Sequence, residues 1–151
     1  IKEGGYVDFT TSSDEEFLEE GELTASEALK KIVDMNLPIS HVTFSSDGNG
    51  SMPNFNEKRE LIGLKICNVN SLYKEVKKAI LNKKIPIEIA LSTITSNVAK
   101  ILKLEDKGEI KAGKTADFVI VNKESFDIED VYAKGVQVVK NKIPIKKGMF
   151  E

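Results

Sequence analysis

The first third of the chain alternates between strand-like and helix-like patterns of apolar residues. Residues 6–10 alternate apolar and polar side chains, which is typical of a strand with one covered face. Residues 25–35 repeat apolar side chains at helical intervals, behind a sequence with capping-box spacing at residues 24–27. A second strand follows at residues 42–45, so residues 5–46 predict two parallel strands joined through a helix by a right-handed crossover.

The rest of the chain predicts further helices and then short strands. Residues 48–70 contain Pro53 and several asparagines, and they predict a long loop. Helices are expected at about 71–82, from Pro86 to about 95, and from Ser96 to a point before Gly108. Beyond Gly108, short apolar segments separated by turn residues predict a β-meander. Its strands are expected at residues 118–121, 131–133, 136–140 and 143–145.

This change of pattern divides the chain into an α/β part, residues 1–105, and a small β-rich part, residues 106–151. The chain has 151 residues, of which 40% are hydrophobic and 30% charged, as in an ordinary soluble globular protein. The net charge of −2 gives no basic excess of the kind that binds nucleic acid or anionic membranes.

Targeting signals and cysteine usage favour a cytoplasmic protein. No apolar stretch approaches the ~20 residues of a membrane span, and the first residues lack the apolar segment of a signal peptide. The single cysteine excludes a disulfide within the chain and fits a reducing compartment. The chain has no initiator methionine and opens almost directly on a strand, so we expect it to be part of a longer protein.

The strongest candidate for chemistry is Asp47, which follows the predicted strand at 42–45 and precedes two glycines. An α/β barrel presents catalytic groups at the carboxyl ends of its strands. We expect Gly48 and Gly50 to supply positive φ angles and to let a ligand approach the main chain. Asp-Gly and Asn-Gly are also ordinary turn dipeptides. The residues alone therefore leave open whether Asp47 is catalytic or only forms a turn.

Other types of site fit the chain poorly. A calcium loop beginning at Asp47 would need glycine at its sixth position and glutamate at its twelfth, where this chain has Met52 and Lys58. A phosphate-binding loop would need a lysine before its serine, and none is present beside Ser51. The single histidine, His41, and the single cysteine, Cys67, cannot supply the three or four ligands of a His/Cys metal site.

Residues 45–51, Ser-Ser-Asp-Gly-Asn-Gly-Ser, closely resemble the last barrel strand and loop of isoaspartyl dipeptidases, which are β-aspartyl peptidases of the amidohydrolase superfamily. Residues 91–99 and 107–117 fit the same family, and the second of these motifs is common to many amidohydrolases. The resemblance implies an α/β chain that holds the C-terminal segments of a (β/α)₈ amidohydrolase barrel in residues 1–105. A small C-terminal β domain would follow in residues 106–151.

The resemblance also implies roles for individual residues. Asp47 would contact one ion of a zinc pair, take a proton from a metal-activated water and return it to the leaving amine. Ser51 would contact the small dipeptide substrate. Asp117 would brace the junction between the barrel and the β domain. The family's histidine and modified-lysine ligands have no counterpart in this chain, and His41 is not assigned as one.

Two kinds of partner follow from the same resemblance. The missing N-terminal portion of the same protein would supply the other zinc ligands, and the protein is expected to be a homo-oligomer. This chain alone is not expected to bind the two zinc ions.

Two alternatives stay open at this point. The chain could be a non-catalytic, amidohydrolase-derived module that needs a partner, because two barrel strands leave an open edge and uncovered apolar faces. It could also belong to an amidohydrolase that acts on another amide, such as a cyclic one, although residues 49–51 disfavour this.

Overall fold

A computed structural model describes residues 1–12, 21–146 and 148 of the chain. The chain consists of two compact units, Ile1–Val98 and Ala99–Glu151. The first unit contains helices and two small sheets, and the second contains one antiparallel sheet, which confirms the mixed α/β class. The predicted boundary after residue 105 stays a prediction, as does the barrel. Most of the acidic segment between the first strand and the first helix lies outside the described residues.

The first unit is built on two short parallel strands. Strand β1 (Val7–Thr10) and strand β2 (Val42–Ser45) pair in parallel from Val7 opposite Val42 to Thr10 opposite Ser45. Helix α1 (Ala25–Asp34) lies between them in the chain, so the predicted strand–helix–strand order is confirmed. In β2 the apolar Val42 and Phe44 are buried, and the alternate polar residues are only half-buried. One face of this parallel pair is therefore covered and the other is polar.

The start of helix α1 is fixed by the capping box that the sequence predicts. The Thr24 hydroxyl accepts a hydrogen bond from the Glu27 backbone N–H at 3.3 Å, and the Glu27 carboxylate accepts one from the Thr24 N–H at 3.2 Å. The Lys83 ammonium also donates to Glu27 at 2.9 Å. This Lys83 contact, followed by the Thr24 backbone N–H, holds the pKa of the Glu27 carboxyl below its usual value.

Three further helices follow α1 within the part of the chain that the structure describes. They are α2 (Ser71–Leu81), α3 (Ile87–Ser92) and α4 (Ser96–Ile101), which lie within the predicted segments. Pro86 lies at the N-cap of α3 rather than in its first turn. Within the described residues, no helix has both the length and the apolar character needed to cross a membrane.

The core of the first unit lies where α2 packs between α1 and α3. Leu29, Val42 and Val76 are completely inaccessible to solvent. Glu75 on α2 is also buried, and its carboxylate accepts a hydrogen bond from the Ser26 backbone N–H at 2.9 Å. Since the first N–H groups of a helix lack partners within that helix, Glu75 satisfies one of the free donors of α1. The two helices are thus joined by a buried polar contact as well as by apolar packing.

The expectation of a long loop at residues 48–70 is wrong. This segment contains an antiparallel hairpin of strand β3 (Ser51–Phe55) and strand β4 (Leu61–Ile66). Pro53 is compatible with β3 because this strand belongs to a two-stranded sheet and has a free edge. Most of β4 is exposed despite its apolar sequence. A strand with one buried face alternates apolar and polar residues, and β4 lacks this alternation, so its sequence does not predict a strand.

The second unit is the predicted β-meander. Strands β5 (Phe118–Val121), β6 (Ile128–Ala133), β7 (Val136–Lys140) and β8 (Ile143–Pro144) form one antiparallel sheet in chain order. Lys134 and Gly135 between β6 and β7 both have positive φ angles, as the two central residues of a tight hairpin turn require. The rings of Phe118 and Tyr132 stack across β5 and β6 with centroids 4.4 Å apart.

Asp117 lies just before β5 and joins two parts of the second unit. Its Oδ1 accepts a hydrogen bond from the Lys134 backbone N–H at 2.6 Å, and its Oδ2 accepts one from the Lys107 ammonium. Lys107, followed by the Lys134 N–H, lowers the pKa of the Asp117 carboxyl. Its place in the sequence suits the expected bracing role, which stays a prediction.

Replacing Asn97 with alanine should destabilise the first unit. The Asn97 side chain is 7% exposed, and its Nδ2 donates to the carbonyl oxygens of Ile39 at 2.8 Å and Val42 at 2.9 Å. Its removal leaves these carbonyl groups without that donor at the start of β2, which costs about 2 kcal/mol of unfolding free energy. Urea unfolding of the full-length protein measures this, with Asn82→Ala at the exposed end of α2 as control. Equal unfolding midpoints for the two variants would contradict the assigned role.

The stability contributed by Asp117 should depend on pH. Because the folded-state pKa of Asp117 lies below its ordinary value of 3.8, its contribution is present above about pH 4 and is lost as the pH falls through the lowered pKa. The melting temperature of the Asp117→Asn variant should therefore fall less between pH 7 and pH 3 than that of the unmodified protein. Glu124→Gln, at an exposed position of the same unit, is the matched control and should leave that fall unchanged.

Candidate functional site

The carboxyl end of β2 is held in place two residues before Asp47. The Ser45 carbonyl accepts two hydrogen bonds from Thr11, one from its backbone N–H at 2.8 Å and one from its Oγ1 at 3.0 Å. The same Oγ1 lies 2.8 Å from the Ser71 hydroxyl at the start of α2. Since the single hydroxyl proton of Thr11 is given to Ser45, Ser71 is the donor in this second contact. Thr11 is 8% exposed, so this junction of β1, β2 and α2 is shielded from water.

The backbone turns sharply after β2. The Ser46 hydroxyl accepts a hydrogen bond from the Gly48 N–H at 3.2 Å, and the Asp47 carbonyl accepts one from the Gly50 N–H at 2.9 Å. Asp47 and Asn49 have positive φ angles of 47° and 66°. Aspartate and asparagine tolerate the left-handed region better than other residues with a Cβ atom. Asp47 therefore does form a turn. The turn uses the backbone carbonyl of Asp47 and not its carboxylate, so the carboxylate stays available for chemistry.

The expectation that Gly48 and Gly50 supply the positive φ angles is wrong, because Asp47 and Asn49 adopt them. The glycines are needed for close approach instead. A Cβ atom at Gly48 would lie 2.4 Å from Cγ1 of Val69. A Cβ atom at Gly50 would lie 2.8 Å from the Asp47 carbonyl oxygen and 3.0 Å from its carboxylate Oδ2. The Asp47 side chain thus lies over Gly50, in space that any other residue would fill.

Two backbone hydrogen bonds join this turn to Cys67, the residue that directly follows β4. The Asn49 N–H donates to the Cys67 carbonyl at 3.0 Å, and the Cys67 N–H donates to the Gly50 carbonyl at 2.8 Å. Cys67 is 5% exposed, so its side chain serves as a small buried apolar group. The turn at residues 46–50 is therefore braced from β1, from α2 and from the base of the hairpin.

Both predicted site residues lie on this segment with their side chains exposed. Asp47 is in the turn, and Ser51 is the first residue of β3. Among the described residues, none donates a hydrogen bond to the Asp47 carboxylate. An exposed carboxylate without such a partner, on a braced turn, can accept a proton or contact a cation. The structure places Asp47 and Ser51 close together in one chain segment, and their catalytic and binding roles stay predictions.

A metal centre does not fit the described residues by themselves. They contain no group of three or more histidine, cysteine, aspartate or glutamate side chains that could hold an ion. Asp47 offers one carboxylate, whereas a zinc site takes at least three protein ligands. His41 is engaged elsewhere, since its Nδ1–H donates to the Gly5 carbonyl at 2.9 Å and its ring stacks on Tyr6 at 4.6 Å.

Sequence reasoning missed the residues that position the site. Thr11 follows a strand in a segment that offered no motif, and its importance comes from a contact with a residue 34 positions away. Asn97 lies inside the motif at residues 91–99, where its side chain holds the start of β2. Asp8 on β1 accepts hydrogen bonds from Thr43 at 2.6 Å and Ser45 at 2.5 Å. Only the polar position of Asp8 in an alternating strand could have drawn attention to it.

The chain belongs to the amidohydrolase family, whose sequence profile matches residues 15–141. Among solved structures it is similar to a β-aspartyl dipeptidase from Fervidobacterium islandicum AW-1 in complex with a β-Asp-Leu dipeptide. The identity is 31% and the TM-score 0.78, over 98% of this chain and 37% of that one. The chain therefore spans little more than a third of the length of that dipeptidase.

Other amidohydrolases are similar over less of the chain or at lower identity. Adenine deaminase 2 from Oenococcus oeni is 32% identical over 80 residues, which are 52% of this chain and 14% of that protein. The structure of N-acetylglucosamine-6-phosphate deacetylase from Pasteurella multocida matches 89% of this chain and 37% of that one, with a TM-score of 0.62 and 14% identity. That last similarity shows a shared fold alone.

Replacing Gly48 with alanine should destabilise the turn. The new methyl group would overlap the end of the exposed Val69 side chain, and turning that side chain away costs about 0.5–1.5 kcal/mol. Gly5→Ala is a matched control, because a Cβ atom at Gly5 meets nothing within 4 Å and the residue has no positive φ angle. Thermal unfolding of the two variants measures the difference. A Gly48→Ala variant as stable as Gly5→Ala would show that the close approach at Val69 does not constrain the turn.

Proposed function

We propose that this chain is the C-terminal part of a zinc-dependent isoaspartyl dipeptidase, which hydrolyses β-aspartyl dipeptides. The observation that carries the proposal is the similarity to the Fervidobacterium islandicum dipeptidase, which extends over 98% of this chain at 31% identity. The similarity to adenine deaminase 2 covers 52% of the chain, which favours the dipeptidase over a deaminase.

Asp47 is the proposed proton-transfer residue. Its carboxylate takes a proton from the attacking water while the water oxygen bonds to the scissile carbonyl carbon. It then gives that proton to the amine nitrogen as the C–N bond breaks, so that aspartate and the second amino acid leave. A carboxylate placed in this way contributes typically 10²–10⁴ in rate. The braced turn supports this role, because a backbone that is already held in place loses little freedom when the substrate binds.

Ser51 is the proposed substrate contact beside Asp47. It begins β3, directly after the turn, and its side chain is exposed. A hydroxyl group can donate to a carboxylate and accept from an ammonium group, so it suits a substrate with both groups. Its backbone pairs with β4, which gives its Cα atom a defined position beside the turn.

Zinc is proposed for the whole protein and not for this chain alone. The described residues would supply the Asp47 carboxylate as a single ligand, and the other ligands would come from parts of the protein outside this sequence. When bound, zinc would supply a Lewis acid at the scissile carbonyl.

The open surfaces of the first unit support a need for more protein. Strands β1 and β2 form a sheet of only two strands, and their polar face carries Asp8, Thr43 and Ser45. In the proposed barrel this face would turn toward the interior, and the N-terminal portion of the protein would supply the remaining strands. A homo-oligomer is also proposed. A non-catalytic module remains the rival if the test below fails.

Asp47→Asn in the full-length protein should reduce the turnover of β-Asp-Leu by about 10²–10⁴, because an amide cannot take up the proton. The zinc content, measured by elemental analysis, should largely persist since Asp47 is only one of several ligands. Asp34→Asn is a matched control at an exposed position at the end of α1, and it should keep full turnover.

Substrate controls separate the rival functions in the same assay. The unmodified protein should cleave β-Asp-Leu and leave α-Asp-Leu and adenine unchanged. Deamination of adenine without cleavage of the dipeptide would favour a deaminase. No reaction with any of the three, together with no bound zinc, would favour a non-catalytic module. Full turnover by Asp47→Asn would remove Asp47 from the mechanism.

A further inference from the structure

The Asp8 carboxylate bridges two side chains of β2. Asp8 lies directly opposite Thr43 in the parallel register of β1 and β2, and Ser45 lies two positions beyond Thr43. The three side chains therefore share one face of the strand pair. The Thr43 hydroxyl donates a hydrogen bond to Oδ1 of Asp8 at 2.6 Å, and the Ser45 hydroxyl donates one to Oδ2 at 2.5 Å. Each oxygen of the carboxylate thus already accepts a hydrogen bond.

This bridge does on the open face of the strand pair what packing does on the covered face. On the covered face, the buried side chains of Val42 and Phe44 hold β2. On the open face Asp8 is exposed, Thr43 and Ser45 are half-buried, and the carboxylate holds the two hydroxyl groups. A hydrogen bond to an ionised carboxylate is roughly twice as strong as one between neutral groups, so the bridge restricts the Ser45 side chain.

Ser45 connects this bridge to the turn that carries Asp47. It is the last residue of β2, and its carbonyl accepts two hydrogen bonds from Thr11, so its backbone and its side chain are each held. Asp47 follows two residues later, which places its Cα atom within about 7 Å of the Ser45 Cα atom. The two peptide units between them are planar and allow rotation only at φ and ψ. A shift of the end of β2 would therefore move the turn and its carboxylate.

We propose that Asp8 is a positioning residue for the reaction, which holds Asp47 in place through the Ser45 hydroxyl. The inference rests on the proposed function, since it assumes that Asp47 transfers the proton. Asp8 is not assigned that transfer, because two hydroxyl groups already donate to its carboxylate, whereas none of the described residues donates to the Asp47 carboxylate. Misplacing a reacting group by about 1 Å can lower the rate about 10²-fold, so a contact that aligns Asp47 affects turnover.

The experiment measures kcat and KM for β-Asp-Leu in the full-length protein. Asp8→Ala should lower kcat about tenfold and leave KM within about twofold, because the proton transfer is misaligned while substrate binding is not. Asp8→Asn should keep kcat within about threefold of the unmodified protein, since its amide oxygen can accept from one hydroxyl and its N–H can donate to the other. This rescue distinguishes positioning from a role for the negative charge.

Two further substitutions test whether the effect passes through Ser45. Ser45→Ala should lower kcat about as much as Asp8→Ala, and the double variant should lose no more than either single variant, because both break the same contact. Thr43→Val is the matched control, since it removes the other hydroxyl two positions further from Asp47 and keeps a β-branched side chain. Its kcat should stay within about twofold of the unmodified value.

The other outcomes overturn either the inference or the proposed function. An unchanged kcat in Asp8→Ala, an equal loss in Thr43→Val, or additive losses in the double variant overturns the inference and leaves the dipeptidase function standing. An Asp8→Asn variant as slow as Asp8→Ala also overturns it, because the charge would then matter and not the hydrogen bonds. If Asp8→Ala does not fold, Ser45→Ala decides the question, and a full kcat in that variant overturns the inference. No cleavage of β-Asp-Leu by the unmodified protein refutes the proposed function itself.

Discussion

The position of Asp47 depends on the two backbone hydrogen bonds that join its turn to Cys67. They connect Asn49 and Gly50 to Cys67, which directly follows β4, so the turn and the base of the hairpin form one hydrogen-bonded unit. The double hydrogen bond from Thr11 to the Ser45 carbonyl fixes the other end of the same turn. Residues without catalytic chemistry of their own thereby hold the backbone that carries this exposed carboxylate. A backbone positioned before any substrate binds would favour the proton transfer that we propose for Asp47.

The packing of the first unit is one-sided. Helices cover the face of the β1–β2 pair that carries Val42 and Phe44, and the buried side chains Leu29 and Val76 complete that core. The opposite face is polar, with Asp8 bound to two hydroxyl groups. Water or further polar protein suits such a face, whereas an apolar layer would not. This asymmetry is compatible with further polar protein on that face, and it supports the proposal that further strands complete the sheet.

Regular periodicity made much of the fold predictable. The alternation in β1 and β2, the capping box at Thr24 and the turn residues of the meander all act locally, so the sequence alone indicates them. The hairpin at residues 51–66 could not be predicted, because its exposed strands lack the alternation that burial imposes. The site was predictable only in part. Asp47 and Ser51 stand out in the sequence, whereas Thr11, Asn97 and Cys67 act through contacts between distant positions. The role of the glycines was mistaken for the same reason, since the obstacle at Gly48 is Val69, a residue 21 positions further along.

The most direct test of the central claim is a crystal structure of the full-length protein, in its Asp47→Asn form, with β-Asp-Leu bound. We predict that the side chain at position 47 lies within hydrogen-bond distance, about 2.6–3.2 Å, of the scissile amide nitrogen or of the water beside its carbonyl carbon. We also expect the turn at residues 46–50 to keep its two hydrogen bonds to Cys67. A bound dipeptide whose scissile bond lies far from position 47 would contradict the claim and leave the turn with a purely structural role.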